Sequence, residues 1–191
     1  MHYLFIISGP GGSGKNTVIN ELLKNKRLGL VKLVNFTSRP PRVGEINGRH
    51  YHFLSKDDFK HAIDRGEMLE YEVMSASGRY YGTSKTDLEL LLQQHNVICD
   101  KMPIGALNLK KHFGSFAVTI FVDAPDDQLS HRLLDKSRVN EKDLISKRLE
   151  QANAEREYKP QFDYNLTNID GKLDEAAAHA TKIILDKVIS K

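Results

Sequence analysis

A parallel β-sheet covered by helices on both faces, the α/β class, is the fold this sequence predicts. A glycine-rich stretch, Gly9-Pro10-Gly11-Gly12-Ser13-Gly14-Lys15, joins a short apolar run to a segment of helical periodicity. Beyond it, continuous apolar runs alternate with helical patterns, and runs buried on both faces belong to parallel sheets. A third feature interrupts that alternation. From Thr37 to Ser84 the chain turns rich in Arg, Gly and Tyr, as an inserted lobe would.

Taken in order, Tyr3–Ile7 reads as the first strand, and the helix after the loop begins at Thr17-Val18-Ile19-Asn20. Leu30–Phe36 reads as the second core strand. Inside the insertion, Tyr51–Leu54 and Met68–Met74 are strand-like. Ser55 before Lys56-Asp57-Asp58-Phe59 is an N-cap signature, and Gly66 stands where a helix-terminating glycine belongs. Leu88–Gln94, Pro125–Leu134, Asp143–Tyr158 and Leu173–Val188 follow as helices, with strands at Val97–Cys99 and Phe116–Val122.

Bulk properties narrow the class. At 191 residues the chain fits one domain with a substantial core, and 40% hydrophobic with 28% charged residues describes a soluble protein. The balance of 28 basic against 25 acidic residues argues against a dedicated nucleic-acid binder. Cys99 stands alone, so no internal disulfide forms, and a reducing, cytoplasmic setting is expected. Tyr3–Ile7 is too short for a membrane span or a secretory segment.

Strand, glycine turn and helix in sequence make Gly9–Lys15 a phosphate-binding loop. Its glycines let backbone N–H groups turn inward, the helix start adds positive potential, and Lys15 reaches terminal phosphates. The pattern asks for Ser or Thr after the lysine, to hold magnesium; Asn16 and then Thr17 stand there. An amide oxygen is still a hard ligand, so altered metal contact is expected and not a dead loop. A second cluster, Arg39-Pro40-Pro41-Arg42, stiffens two guanidinium forks toward one anion, although an isolated pair of this kind is often a solvated turn. Tyr51, Glu70, Tyr81 and Thr83 add hydroxyls and a carboxylate; the tyrosines would serve equally as packing aromatics. His50 and His52 share a strand face but lack further ligands, so a surface or hydrogen-bonded pair is expected. Cys99 reads as an inert core thiol.

Together these motifs resemble the guanylate kinase family. The resemblance runs in order through Gly9–Thr17, Ser38-Arg39-Pro40-Pro41-Arg42-Val43-Gly44-Glu45, Asn47-Gly48-Arg49-His50-Tyr51, Glu67-Met68-Leu69-Glu70-Tyr71, Tyr80-Tyr81-Gly82-Thr83 and Arg148-Leu149-Glu150-Gln151-Ala152, ending near Asn168. It implies ATP- and Mg²⁺-dependent phosphoryl transfer to GMP or dGMP, with small-molecule nucleotides as partners. It also implies a core of residues 1–34, 85–134 and 145–191, a small mixed-sheet GMP lobe at about 35–84, and a helical lid at about 135–144. By that likeness Gly9, Pro10, Gly11, Gly12, Ser13, Gly14, Lys15, Asn16, Thr17 and Asn168 hold ATP. Asn35, Arg39, Arg42, Tyr51 and Tyr81 hold the acceptor phosphate, and Glu70 with Thr83 reads guanine. Asn35 replaces a family serine. Asn16 and Asp100 contact the metal, partly through water. Lys15, Arg39, Arg132 and Arg148 stabilise the transferring group, with Lys136 and Arg138 as lid cations, although Arg132, Lys136 and Arg138 read equally as an exposed helix face.

Two departures stand on the acceptor side. Where the family has two aspartates one residue apart, this chain reads Asp100-Lys101-Met102-Pro103, so the second carboxylate is lost. The segment between Glu70 and Tyr81 is longer than the family's. Both leave phosphoryl transfer in place and open the acceptor choice, so a kinase of different or broader nucleoside monophosphates is the alternative expectation. A non-catalytic interaction module is the other, disfavoured by the intact Gly9–Lys15 loop.

Overall fold

The computed structural model describes residues 2–74, 77–136 and 142–189, without the side chains of residues 134–145. Arg138, the Lys136 side chain and most of the expected lid lie outside the described residues. In chain order the elements are β1 (Leu4–Ser8), α1 (Lys15–Lys24), β2 (Leu30–Lys32), β3 (Phe36–Thr37), β4 (His52–Phe53), α2 (Lys56–Asp64), β5 (Met68–Met74) and β6 (Arg79–Ser84). There follow α3 (Lys85–Gln94), β7 (Asn96–Asp100), α4 (Pro103–Phe113), β8 (Ala117–Asp123), α5 (Asp126–Lys136), α6 (Lys142–Arg156), β9 (Tyr164–Thr167) and α7 (Leu173–Ile189).

The large sheet has the order β2-β7-β1-β8-β9, and every pairing in it is parallel. β1 is central and wholly buried, because Leu4, Phe5, Ile6 and Ile7 offer no polar face to solvent. Each such side chain contributes about 1.5–3 kcal/mol by leaving water. One face packs on α1 and α7 through Val18, Ile19, Leu22, Ala180 and Ile184. The opposite face packs on α3 and α4 through Leu88, Leu92, Ala106 and Leu109. A small mixed sheet, β4-β3-β6-β5, forms the insertion. Among the described residues no helix is long and apolar enough to cross a membrane.

The run Leu30–Phe36, expected as one strand, divides between the two sheets. Leu33 N–H still bonds the Ile98 carbonyl at 2.9 Å, whereas the Asn35 carbonyl accepts from His52 N–H at 2.9 Å. Apolarity alone does not say which sheet a residue joins. The Ser55 cap forms as expected, accepting from Asp58 N–H at 3.0 Å, and Gly66 adopts φ +69° beyond the end of α2. Helix α4 and strand β9 have no counterpart in the sequence reading. Pro103 opens α4 at a position where its missing N–H does no harm.

Candidate active site

Parallel strands bring the carboxyl ends of β1, β7 and β8 to one edge, the usual seat of a ligand in an open α/β sheet. The glycine loop rises from β1 there. Gly9 sits at φ +130°, and a Cβ on it would lie 2.0 Å from the Val122 carbonyl oxygen, so β8 leaves room only for glycine. Gly14 (φ +87°) leads into α1, whose N-cap makes no side-chain hydrogen bond, so the positive end of the helix faces the loop. The loop's outer carbonyls are held from behind. Asn168 Nδ2 donates to the Ser13 carbonyl at 2.9 Å, and Arg132 Nη1 donates to those of Gly12 and Ser13 at 3.3 and 3.4 Å. Arg132 is itself fixed by Asp170, Nη2 to Oδ1, at 2.6 Å. Lys15 Nζ folds over the loop, donating to the carbonyls of Gly9 and, at 2.9 Å, Pro10.

A cavity of about 250 Å³ runs from Gly9, Gly11 and Lys15 across to Asn35, Tyr51, Glu70 and Tyr81. Asp100 lines it because the β1–β7 register pairs Ile7 with Asp100, which sets this carboxylate beside the start of the loop. Asn16 and Thr17 are exposed at the first turn of α1. On α6, Gln151 and Glu155 face the cavity, and Arg148 lies one turn earlier on that side, half-buried. Burial raises the Glu155 carboxyl above its ordinary value, and the nearby Lys15 charge opposes the rise.

At the lobe end Arg39 is 4% exposed and carries a two-pronged bond to Glu45, Nη1 to Oε2 at 2.9 Å and Nη2 to Oε1 at 2.8 Å. Hydrogen bonding from Arg39 lowers the Glu45 carboxyl to about 2. The Arg39 guanidinium lies 5.6 Å from the ring centres of Tyr51 and Phe53, and the rings of Tyr51 and Tyr81 meet edge-on at 6.1 Å. Burial raises the Tyr51 hydroxyl strongly, so it stays protonated as a donor. Arg42 joins this group through its backbone N–H, which bonds Glu45 Oε2 at 2.7 Å, while its side chain is exposed. One guanidinium is thus buried on Glu45, and the other is exposed with its charge felt by the same carboxylate.

Glu70 and Thr83 come together as neighbours on β5 and β6, with Thr83 Oγ1 donating to Glu70 Oε1 at 2.5 Å. Sequence reading missed the third member. Lys101 Nζ lies 2.7 Å from Glu70 Oε1 and 2.7 Å from Asn35 Oδ1, and it also bonds Thr83 Oγ1. Alternation was the available signal: Lys101 continues the face of Val97 and Cys99, and its N–H extends the β1–β7 ladder to the Ile7 carbonyl at 3.0 Å. Glu72 was missed as well. Its Oε1 accepts from Gly105 N–H at 2.5 Å, and burial raises its carboxyl. Met102, in place of the lost carboxylate, occupies the N-cap position of α4 without a capping bond and lines the cavity.

His50 Nδ1 accepts from Ile46 N–H at 2.9 Å, and His52 stacks on Phe36 with ring centres 4.5 Å apart. Among the described residues no group of three His, Cys, Asp or Glu side chains is placed to hold an ion. Cys99 is fully buried, and burial pushes its thiol up to about 12.

Residues 1–187 match the family model described as "Guanylate kinase". A guanylate kinase of Bacteroides fragilis is 40% identical over 183 residues, covering 95% of this chain and 87% of the relative. One from Porphyromonas gingivalis is 39% identical over 171 residues, covering 89% and 90%. The crystal structure of guanylate kinase from Anaplasma phagocytophilum superposes with a TM-score of 0.76 over 97% of this chain and 86% of that one, at 23% identity.

Proposed function

Because the chain belongs to the guanylate kinase family, we infer that it transfers a phosphoryl group from ATP to GMP or dGMP, giving ADP and the nucleoside diphosphate. The observation that carries this reading is the single cavity joining Gly9, Gly11 and Lys15 to Tyr51, Glu70 and Tyr81. A donor's phosphates at one end and an acceptor's at the other would meet within it.

The chemistry asks for positioning and charge stabilisation. An acceptor phosphate oxygen is already ionised near neutral pH, so no general base is needed. It attacks the γ-phosphorus of ATP, the bond from that phosphorus to the β,γ-bridging oxygen breaks, and ADP leaves with the electron pair. Lys15, released from the loop carbonyls, supplies the cation for the donor phosphates, and the first-turn N–H groups of α1 supply the fixed dipole. Arg39, Arg42, Tyr51 and Tyr81 take the acceptor phosphate, with Glu45 yielding its place on the Arg39 fork. Glu70 and Thr83 read the base, and Asn35 borders it. Arg132 and Asn168 act through the loop they brace. Arg148, one turn along α6 from the cavity, is the arginine that helix movement would bring to the transferring group.

Asn16, Thr17 and Asp100 offer hard oxygen donors at the loop mouth, too few for a resident cage. That set fits Mg²⁺ arriving on the nucleotide with its own waters. Such an ion would offset charge on the donor phosphates. The lobe at about 35–84 as acceptor-binding unit, the lid at about 135–144 and a cytoplasmic location belong to the same reading.

A second reading, a kinase with a broader acceptor set, is favoured by Met102 in the place of a carboxylate. ADP release measured with GMP, dGMP, AMP, UMP and CMP decides between the two. Turnover with GMP or dGMP far above the rest supports the first reading, and comparable turnover with AMP or a pyrimidine nucleotide supports the second. No turnover with any of them overturns both.

A further inference from the structure

We propose that Lys101 is a specificity-determining residue that, paired with Glu70, selects acceptor bases carrying an adjacent N–H and carbonyl. The inference rests on the acceptor site described above and names the contact by which that site separates one purine from another.

Three contacts place the ammonium. Lys101 Nζ is 2.7 Å from Glu70 Oε1, 2.7 Å from Asn35 Oδ1, and bonded to Thr83 Oγ1. The Lys101 and Glu70 side chains are each 7% exposed, so this is a fixed pair and not a surface contact. A lysine drawn this far from water requires partners, and two of them, Glu70 and Asn35, line the acceptor cavity together with Lys101 itself.

A carboxylate beside an ammonium presents an acceptor next to a donor. The matching edge on a base is a ring N–H next to a carbonyl. Guanine and hypoxanthine carry that edge at N1–H and C6=O. Adenine carries its reverse, a bare ring nitrogen beside an amino group, and would set its amino hydrogens against the ammonium. Glu70 Oε1 already holds Lys101 and Thr83, which leaves Oε2 for a ring N–H, and the ammonium, whose three N–H groups go to Glu70, Asn35 and Thr83, would exchange its Asn35 bond for the base carbonyl. Packing keeps this geometry tight: a Cβ on Gly105 would come within 2.9 Å of Glu70 Oε2 and 3.2 Å of Glu72 Oε1.

The same arrangement makes the exocyclic 2-amino group less important. Met102 offers that group no carboxylate, and Glu72 is already engaged by Gly105 N–H at 2.5 Å. The protein should therefore discriminate at the 6-position more than at the 2-position.

The test is the acceptor profile, kcat/KM for GMP, IMP and AMP with ATP, in wild type, Lys101→Met and Lys101→Gln. Wild type is expected to use IMP within about tenfold of GMP and to use AMP far less. Losing one charge-assisted hydrogen bond is worth about 10-fold or more. Lys101→Met should therefore lower GMP and IMP together by that factor and leave AMP unchanged or improved. Lys101→Gln, whose amide turns either way, should also narrow the GMP-to-AMP ratio, and it answers the question if the methionine variant does not fold. A purely structural role would lower all three acceptors alike, with their ratios fixed. That result, or an unchanged profile in both variants, overturns the proposal. Wild type that favours GMP over IMP by far more than it favours IMP over AMP also overturns it. Wild type that phosphorylates none of the three removes the parent reading and this one with it, whereas wild type active on GMP with ratios insensitive to Lys101 removes this one alone.

Discussion

Arg39 and Glu45 meet fork to fork, Nη1 donating to Oε2 at 2.9 Å and Nη2 to Oε1 at 2.8 Å. A carboxylate on that fork marks where an incoming phosphate would bind, since both anions match the same planar donor pair. Binding an acceptor then becomes an exchange of one anion for another, which costs less than desolvating a bare arginine.

Replacing Arg39 with Lys keeps the charge and loses the fork. The expected result is a KM for GMP raised about 10- to 100-fold, the worth of one charged hydrogen bond, with a much smaller change for ATP. Arg42→Lys should act in the same direction but less, its side chain being exposed. Equal effects on both nucleotides would remove these arginines from the acceptor site.

The pair also sets a dependence on acid. Glu45 titrates at about 2 in the folded chain against an ordinary value of 4.5, so below 4.5 the unfolded chain takes up the proton first. The stability from this carboxylate is fully present above pH 4.5 and drains away as the pH falls toward 2. Urea midpoints of wild type and Glu45→Gln should differ most near about pH 7, narrow below pH 4.5 and converge only near pH 2. A gap that stays constant with pH would show that the pair does not titrate as described.

Lys15→Met removes the cation nearest the donor phosphates while keeping a similar stem. Turnover should fall by about 10²–10³ or more, with the thermal midpoint within about 2 °C of wild type. Near-normal kcat would take Lys15 out of the mechanism.

Met102→Asp gives two separate readouts. As an N-cap of α4, aspartate should stabilise the fold by about 0.5–2 kcal/mol, seen in denaturant unfolding. As a restored carboxylate, it should raise kcat/KM for GMP more than for other acceptors. Stabilisation with a flat acceptor profile would mean that this position only terminates a helix.

Much of this was legible from residue types. The buried runs of β1, β7 and β8 and the glycine loop predict their own neighbours, because continuous apolarity and a glycine-lysine turn have few other uses. What stayed hidden were meetings between distant residues. Lys101 reads as a charged residue past a strand end until β5 and β6 bring Glu70 and Thr83 over it. Asn35 and Phe36 look like the end of one strand, yet the chain leaves the large sheet there. Strand β9 alternates weakly over Tyr164–Thr167 at a sheet edge, where solvent-facing residues blur the period. Arg39 and Glu45 were both in view in the motif, but local pattern says nothing of two side chains six positions apart folding back on each other.

Asn35 has one mechanical consequence. Its carbonyl is tied to His52 of the small sheet, while its amide donates to the Asp100 carbonyl at 3.2 Å and accepts from Lys101 on the large one. A single residue thus straddles both bodies like a tooth between two gears. Rotation of the small sheet against the large one would load this side chain together with the Lys101–Glu70 and Gly105–Glu72 contacts, and pass displacement to the Lys101 ammonium. Opening and closing of the crevice would be geared to the grip on the base, with no separate latch.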